Sequence, residues 1–412
     1  MNTKLLILLL VSFQFCTAQQ RTCGLEEKME EMLSNPILRE QYEVQIAKSQ
    51  LELDRLENNS LRTSSPQTTF KIPVAVHYPD GLNVNRVCLV ALAQSQIDIL
   101  NADYNASNTD MSTWIYTTGA YFPGIVPGSI DIEFVLATQN HPVGFDANLL
   151  NGQPAVTIGY DFAQLSDYNS NWAGYLNIVV KALNNGVLGY AYLASSPANG
   201  SAVFISINAF GSGVGCVGHV PTGSFNLGRT LTHELGHYMN LHHIWGDASC
   251  GNDQVADTPQ HNTSNLGCPN INHYSTCTGT PKELTMNYMD YSNDVCMYMF
   301  TSGQATRSLA HLNTIYSSFN QGTLFNDLIE KNNFSIYPNP NQGSFELKLS
   351  NFINNDYSVE ILDNFGRVIY EKNFKLASGL VQNINVENAS TGVYFVKFKS
   401  QDVVVTKKIN IK

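Results

Sequence analysis

Charge is scarce in this chain. Asp, Glu, Lys and Arg make up 14% of its 412 residues, and the 23 basic residues are outnumbered by 34 acidic ones. The formal charge of −11 argues against non-specific nucleic-acid binding, which needs a basic footprint. Histidine is also rare, at 10 residues, so any cluster of it carries weight. Long apolar runs are missing as well. The stretch Leu5 to Phe13 is too short to span a bilayer, and no later segment is longer and as apolar. It follows Met-Asn-Thr-Lys and precedes Cys16-Thr17-Ala18, the pattern of a secretory signal peptide (residues 1–18) cut after Ala18. Lipid modification of Cys16 is disfavoured, because Phe13 and Phe15 are bulky where such a site wants small residues.

What is present points to several domains. A length of 412 residues suggests two or three, and 43% hydrophobic residues allow sizeable cores. Leu25 to Leu33 and Ile37 to Leu56 are charge-rich, free of Gly and apolar at helical spacing, so residues 19–62 read as a helical pro-segment. Residues 58–69 are a polar linker in which Arg62 is the expected processing point. From Phe70 the pattern becomes α+β: strands at Phe70–His77, Ile130–Ala137 and Tyr175–Val180, and Ala202–Ile207 as a sheet edge. Helices are expected at Val90–Ala102, at Leu227–Leu241 with Ser224 or Asn226 as cap, and at Gly303–Phe319. The segment 248–299 reads as irregular, and this domain as residues 63–325. Residues 334–412 alternate polar and apolar in short runs between turns, as in a small all-β sandwich.

Seven cysteines remain after Cys16: Cys23, Cys88, Cys216, Cys250, Cys268, Cys277 and Cys296. An oxidising destination favours disulfides, and an odd count leaves a thiol over.

The chemistry centres on His233-Glu234-Leu-Gly-His237-Tyr-Met-Asn240-Leu-His242-His243. Imidazoles four apart on a helix share a face and can hold one Zn²⁺. Glu234 points toward the same cleft and can act as base on the attacking water. The third ligand must come from beyond the helix. His243 has the better offset, and His242 is its rival. A chance match on a core helix is the bland alternative, but a third histidine at the required offset makes it remote.

This run resembles the metzincin signature His-Glu-x-x-His-x-x-Gly-x-x-His, with Asn240 where most members have Gly. Asn tolerates the left-handed backbone next best, so the turn survives. Asn287-Tyr-Met289-Asp-Tyr291 resembles the family's Met-turn. The likeness implies Met289 as the floor beneath the metal, with Met286 the weaker alternative, and Tyr291 as a hydrogen-bonding group for the oxyanion. Leu241 to Asp247 and the cysteines after it resemble the pappalysin branch of zinc endopeptidases over residues 70–320. That resemblance implies a twisted mixed sheet with an active-site helix, pairs Cys250–Cys277 and Cys268–Cys296, and preference for bonds before a basic residue, with Asp294 as candidate acidic pocket. It also suggests Ca²⁺ at Asp253, Asp257 and Thr258, for which solvated loop acids are the alternative.

Arg21-Thr22-Cys23-Gly24 resembles the family's propeptide Cys-Gly motifs, so Cys23 is expected to ligate zinc in a latent form. Cys88 then pairs with Cys216; otherwise Cys23 takes one of the two. Residues 335–412, with Tyr337-Pro338-Asn339-Pro340 and a final Lys407-Lys408, resemble the sorting domain of type IX secretion. The expected partners are protein substrates and the export machinery, with no membrane span, and the expected state is a monomer. The rival from another class is a surface adhesin with a vestigial metal site; an intact Glu234 speaks against it. A narrow processing protease acting on one partner is the rival within the class.

Overall fold

The computed structural model describes residues 20–59, 69–163, 166–323, 334–349, 357–364, 366–375, 381–386, 389–400 and 403–412. The expected signal peptide, Cys16 and the processing point at Arg62 lie outside the described residues. The chain divides into two compact units, Met1–Thr323 and Leu324–Lys412.

The first unit opens with two helices, α1 (Leu25–Ser34) and α2 (Pro36–Asn59). Its sheet is built from β1 (Phe70–Tyr78), β2 (Ile132–Leu136), β3 (Val156–Ile158), β4 (Leu176–Lys181), β5 (Gly189–Tyr190) and β6 (Ala202–Ser206). The order is β2-β1-β4-β6-β5, with β3 also pairing β1. All pairings are parallel except β5 against β6, which makes the sheet mixed. Ala202–Ser206 is therefore interior and not the edge: every residue of it is buried, and the two-residue β5 is the rim. A strand that short carries no periodic signal.

Helices α3 (Arg86–Tyr104), α4 (Met111–Tyr116), α5 (Arg229–Tyr238) and α6 (Ser302–Ile315) complete the unit. Asn85 caps α3, accepting from the backbone N–H of Val87 and Cys88. Leu89, Leu92, Ile97 and Leu100 of α3 enter one core with Ile72, Val74 and Val76 of β1 and Leu231 and Leu235 of α5. At α5 the cap differs from expectation. Neither Ser224 nor Asn226 caps it; Gly228 at φ +76° makes the turn, and Asp294 accepts from the N–H of Leu227 and Arg229. Thr301 and Gln304 form a capping box at the start of α6. Disulfides join Cys88 to Cys216, Cys250 to Cys277 and Cys268 to Cys296, and Cys23 is free. The last two cross-link a stretch with little regular structure.

The second unit holds two antiparallel sheets. One has the order β10 (Val368–Phe374), β9 (Tyr357–Leu362), β12 (Gly392–Ser400), β13 (Val403–Ile411). The other is β11 (Val381–Asn385), β8 (Ser344–Leu349), β7 (Phe334–Tyr337). Leu347, Val359, Ile361, Val396 and Phe398 share one core between the sheets, so the unit is a sandwich.

Candidate metal centre

Every residue of α5 is buried, and the one-turn offset sets His233 and His237 side by side. The helix ends at Tyr238, and Asn240 takes φ +70°. That turn returns His243 to the other two rings. Arg307 on α6 pins it, donating from Nε to the Asn240 carbonyl at 2.7 Å. His242 is only half-buried and stays outside the cluster.

Each ring is held from behind. His233 Nδ1 lies 2.7 Å from the Tyr288 carbonyl and His237 Nδ1 lies 2.7 Å from that of Leu241. His243 Nδ1 meets the Asp247 carboxylate. An acceptor behind Nδ1 keeps the proton there, which leaves the Nε2 lone pairs facing inward. His237 Nε2 is 3.2 Å from each of the other two. Three lone pairs so close repel one another unless a cation sits among them. Tetrahedral zinc with Zn–N of about 2.0–2.1 Å spaces its nitrogens about 3.3 Å apart, so the residues present fit that ion. Burial, then the neighbouring imidazoles, holds His233 and His237 well below the usual imidazole range, which keeps them neutral as ligands.

Glu234 is fully buried beside this cluster, and its Oε2 accepts from Cys23 Sγ at 3.2 Å. Burial pushes its carboxyl up to about 8, against the Cys23 hydrogen bond and the Arg21 charge. The edge strand passes directly over it. A Cβ on Gly189 would stand 2.7 Å from Glu234 Cγ, so only glycine fits there. Beneath the helix, a Cβ on Gly236 would stand 2.4 Å from Met289 Sδ. The sulfur under the site therefore belongs to Met289 and not to Met286. Tyr291 packs its ring 5.2 Å from His243, and its hydroxyl accepts from the Cys23 N–H at 3.3 Å. Burial raises that phenol far above its usual range, so it keeps its proton. Cys23 Sγ lies within 4.8 Å of a ring nitrogen of each of the three imidazoles. Burial, then the Glu234 carboxylate, raises its thiol well above the ordinary range.

The calcium expectation fares differently. Asp253 Oδ1 accepts from Thr258 Oγ1 at 2.8 Å, while Asp257 turns to the start of α6 and accepts from Thr301 Oγ1 and the Gly303 N–H. The two acids thus face different partners. Asp294, besides capping α5, receives Arg21. The guanidinium donates to Asp294 Oδ1 at 2.6 Å, Thr230 Oγ1 at 3.2 Å and the Ser292 carbonyl, and lies 5.0 Å over the Phe225 ring.

Residues 161–313 match the family model described as Pregnancy-associated plasma protein-A, and residues 335–412 match the secretion system C-terminal sorting domain. Among solved structures, mature mirolysin of Tannerella forsythia in complex with a cleaved peptide is 31% identical, with TM-score 0.50, covering 63% of this chain and 98% of that one. Promirolysin of the same organism is 31% identical, with TM-score 0.50, covering 72% and 95%. The chain belongs to the pappalysin family.

Other members of this metalloprotease group are extracellular. The extracellular metalloprotease of Uncinocarpus reesii is 29% identical over 307 residues, covering 73% of this chain and 89% of its own length. That of Arthroderma otae is 35% identical over 184 residues, and the chain spans 63% of its length. With a sorting domain at residues 335–412, this pappalysin-type chain is exported, to the medium or the cell surface.

The roles of three site residues escape sequence reading. Asp247 lies four residues past His243, and a search for acids near the third histidine finds it. Arg307 carries no local signal at all, and Arg21 stands in the Arg21-Thr22-Cys23-Gly24 motif with nothing to announce its partner Asp294. Asp247 yields a direct expectation. Asp247→Ala frees the His243 tautomer and weakens metal affinity by roughly 10- to 100-fold, read by chelator competition, with the fold intact by circular dichroism.

Proposed function

We propose that this is a zinc-dependent endopeptidase that hydrolyses peptide bonds of extracellular proteins on the amino side of a basic residue and is made as a latent precursor. The supporting observation is the convergence of His233, His237 and His243, with His237 Nε2 3.2 Å from each of the other two, and the Glu234 carboxylate poised beside them. In this reading residues 1–18 are a signal peptide, 19–62 an inhibitory pro-segment, 63–325 the catalytic domain and 334–412 the sorting domain.

Zinc held by His233, His237 and His243 supplies Lewis-acid chemistry at the scissile carbonyl. Glu234 takes a proton from the attacking water and returns it to the departing amine nitrogen. Tyr291, kept protonated by burial, donates its hydroxyl to the oxygen that gains charge. Asp294 pairs with the basic side chain that follows the cut bond, as it pairs with Arg21 in the latent chain. Cys23 fills the space between Glu234 and the imidazoles, where an attacking water would stand. A calcium ion near Asp253 keeps one support: Asp253 Oδ2 is buried without a hydrogen-bond donor, and burial pushes that carboxyl up to about 6.

The test is to digest an unfolded protein with the full-length chain after it has released its pro-segment, and to identify the products by mass spectrometry. Cuts should precede Arg or Lys, stop on addition of a zinc chelator and resume with added zinc. Asp294→Asn should remove the preference for a basic residue at that position. A zinc-loaded, processed chain that cuts nothing would end the peptidase reading.

A further inference from the structure

The pro-segment lies along the rim of the sheet in a fixed order. Thr22 bonds to the Gly186 carbonyl and its own carbonyl accepts from the Leu188 N–H; Gly24 then donates to Gly189, and Lys28 and Met29 reach Tyr190 and Leu193. Arg21 and Lys28 therefore fall on opposite sides of Cys23. Arg21 fills the Asp294 pocket. Lys28 fills a second recess that the proposed chemistry does not use. Its ammonium is 3.3 Å from Asp167 Oδ2 and 5.2 Å above the Tyr190 ring.

That recess is built rather than incidental. Asp167 accepts from both Tyr190 Oη at 3.1 Å and Tyr192 Oη at 2.9 Å, so its carboxylate is fixed in place. Tyr190 stacks on Phe204 at 4.6 Å, and Tyr192 stacks on Tyr168 at 5.4 Å. An anchored carboxylate beside an aromatic face is the chemistry that holds an alkylammonium or guanidinium. The other acid on Lys28 is Glu31, 3.0 Å away, but it belongs to α1 and leaves with the pro-segment. Asp167 then keeps two neutral phenol donors and loses its cation.

We propose that Asp167, Tyr190 and Tyr192 form a second cation subsite of the cleft. It takes a Lys or Arg side chain of the substrate on the amino side of the cut bond, as Lys28 fills it in the latent chain. This rests on the peptidase reading, in which the Asp294 pocket takes the residue after the cut. The recess on the other side of the centre must then take residues before it.

The experiment uses the full-length chain after pro-segment release and N-acetylated peptides with one Arg fixed after the scissile bond. Each upstream position carries in turn Lys, its neutral isostere norleucine, or Glu. At one position the Lys peptide should show kcat/KM about fivefold above norleucine, mostly through KM, the range expected for a partly exposed ion pair. Glu should be the poorest. Asp167→Asn should bring Lys down to norleucine and leave the norleucine rate unchanged. The subsite is overturned by a Lys-to-norleucine ratio near one at every position in the unmutated protein, a comparison that needs no variant to fold. It is equally overturned by a ratio that survives Asp167→Asn, or by an equal fall for both peptides, the mark of a structural role. Failure to cut any peptide would instead strike the peptidase reading, and the subsite with it.

Discussion

Glu234→Gln should lower kcat/KM on a peptide substrate by about a thousandfold or more and leave metal content unchanged. Removing a positioned proton acceptor typically forfeits ~10²- to 10⁴-fold, and this carboxylate is both acceptor and later donor. Glutamine has the same outline, so it still fits under Gly189, where no spare room exists. It also resembles the protonated carboxyl, the form favoured by burial in the latent chain, where the group is pushed up to about 8. Stability should therefore move by less than about 1 kcal/mol in thermal unfolding. His237→Ala is the contrasting variant. It removes the imidazole that touches both others, so metal content and activity fall together. Glu234→Gln protein that keeps more than a tenth of the activity would remove Glu234 from the chemistry; loss of metal in that variant would recast it as a structural residue.

How much of this was legible depends on the range of the interaction. The shared face of His233 and His237 follows from a local rule of helical spacing, and the turn at Asn240 follows from the backbone freedom of that residue type. Both stand in the structure, with Asn240 at φ +70°. The strands with clear alternation or sustained apolar character lie nearly where their sequence puts them, since a long buried run needs no partner to declare itself. What failed was set by partners far along the chain. The cap of α5 comes from Asp294, 65 residues beyond Arg229, so local Ser224 and Asn226 looked better than they are. The rim strand β5 is two residues long and is defined only by its pairing with β6. The Arg21–Asp294 contact joins residues 273 apart, and nothing near either one announces it. Family likeness points to Asp294 as an acidic pocket; its second duty at the helix start appears only in the fold.

Cys23→Ala in the full-length chain should raise early peptide hydrolysis about 10- to 100-fold above the unmutated precursor, yet stay below the processed enzyme. The reason is that the thiol is one of several contacts that hold the pro-segment, the Lys28–Asp167 pair among them. Cys23 is the one at the centre, and replacing it removes the sulfur from beside Glu234 and the imidazoles. Arg21 remains in the Asp294 pocket, buried on both sides of the ion pair. Further along, α2 packs on α6, with Gln45 donating to Thr314, Ser49 bonded to His311 and Asn313 donating to Glu52. Loss of the thiol therefore loosens the cover without detaching it. Adding Arg21→Ala leaves Asp294 with only its two backbone donors, and truncating one partner of a buried pair commonly costs about 3–5 kcal/mol. The double variant should consequently approach the processed rate, while either single one falls short. Zinc content should match the unmutated precursor throughout, because the three histidines hold the ion without the thiol. A Cys23→Ala precursor as silent as the original would assign latency to Arg21 and the helices alone, and the double variant would then separate those two.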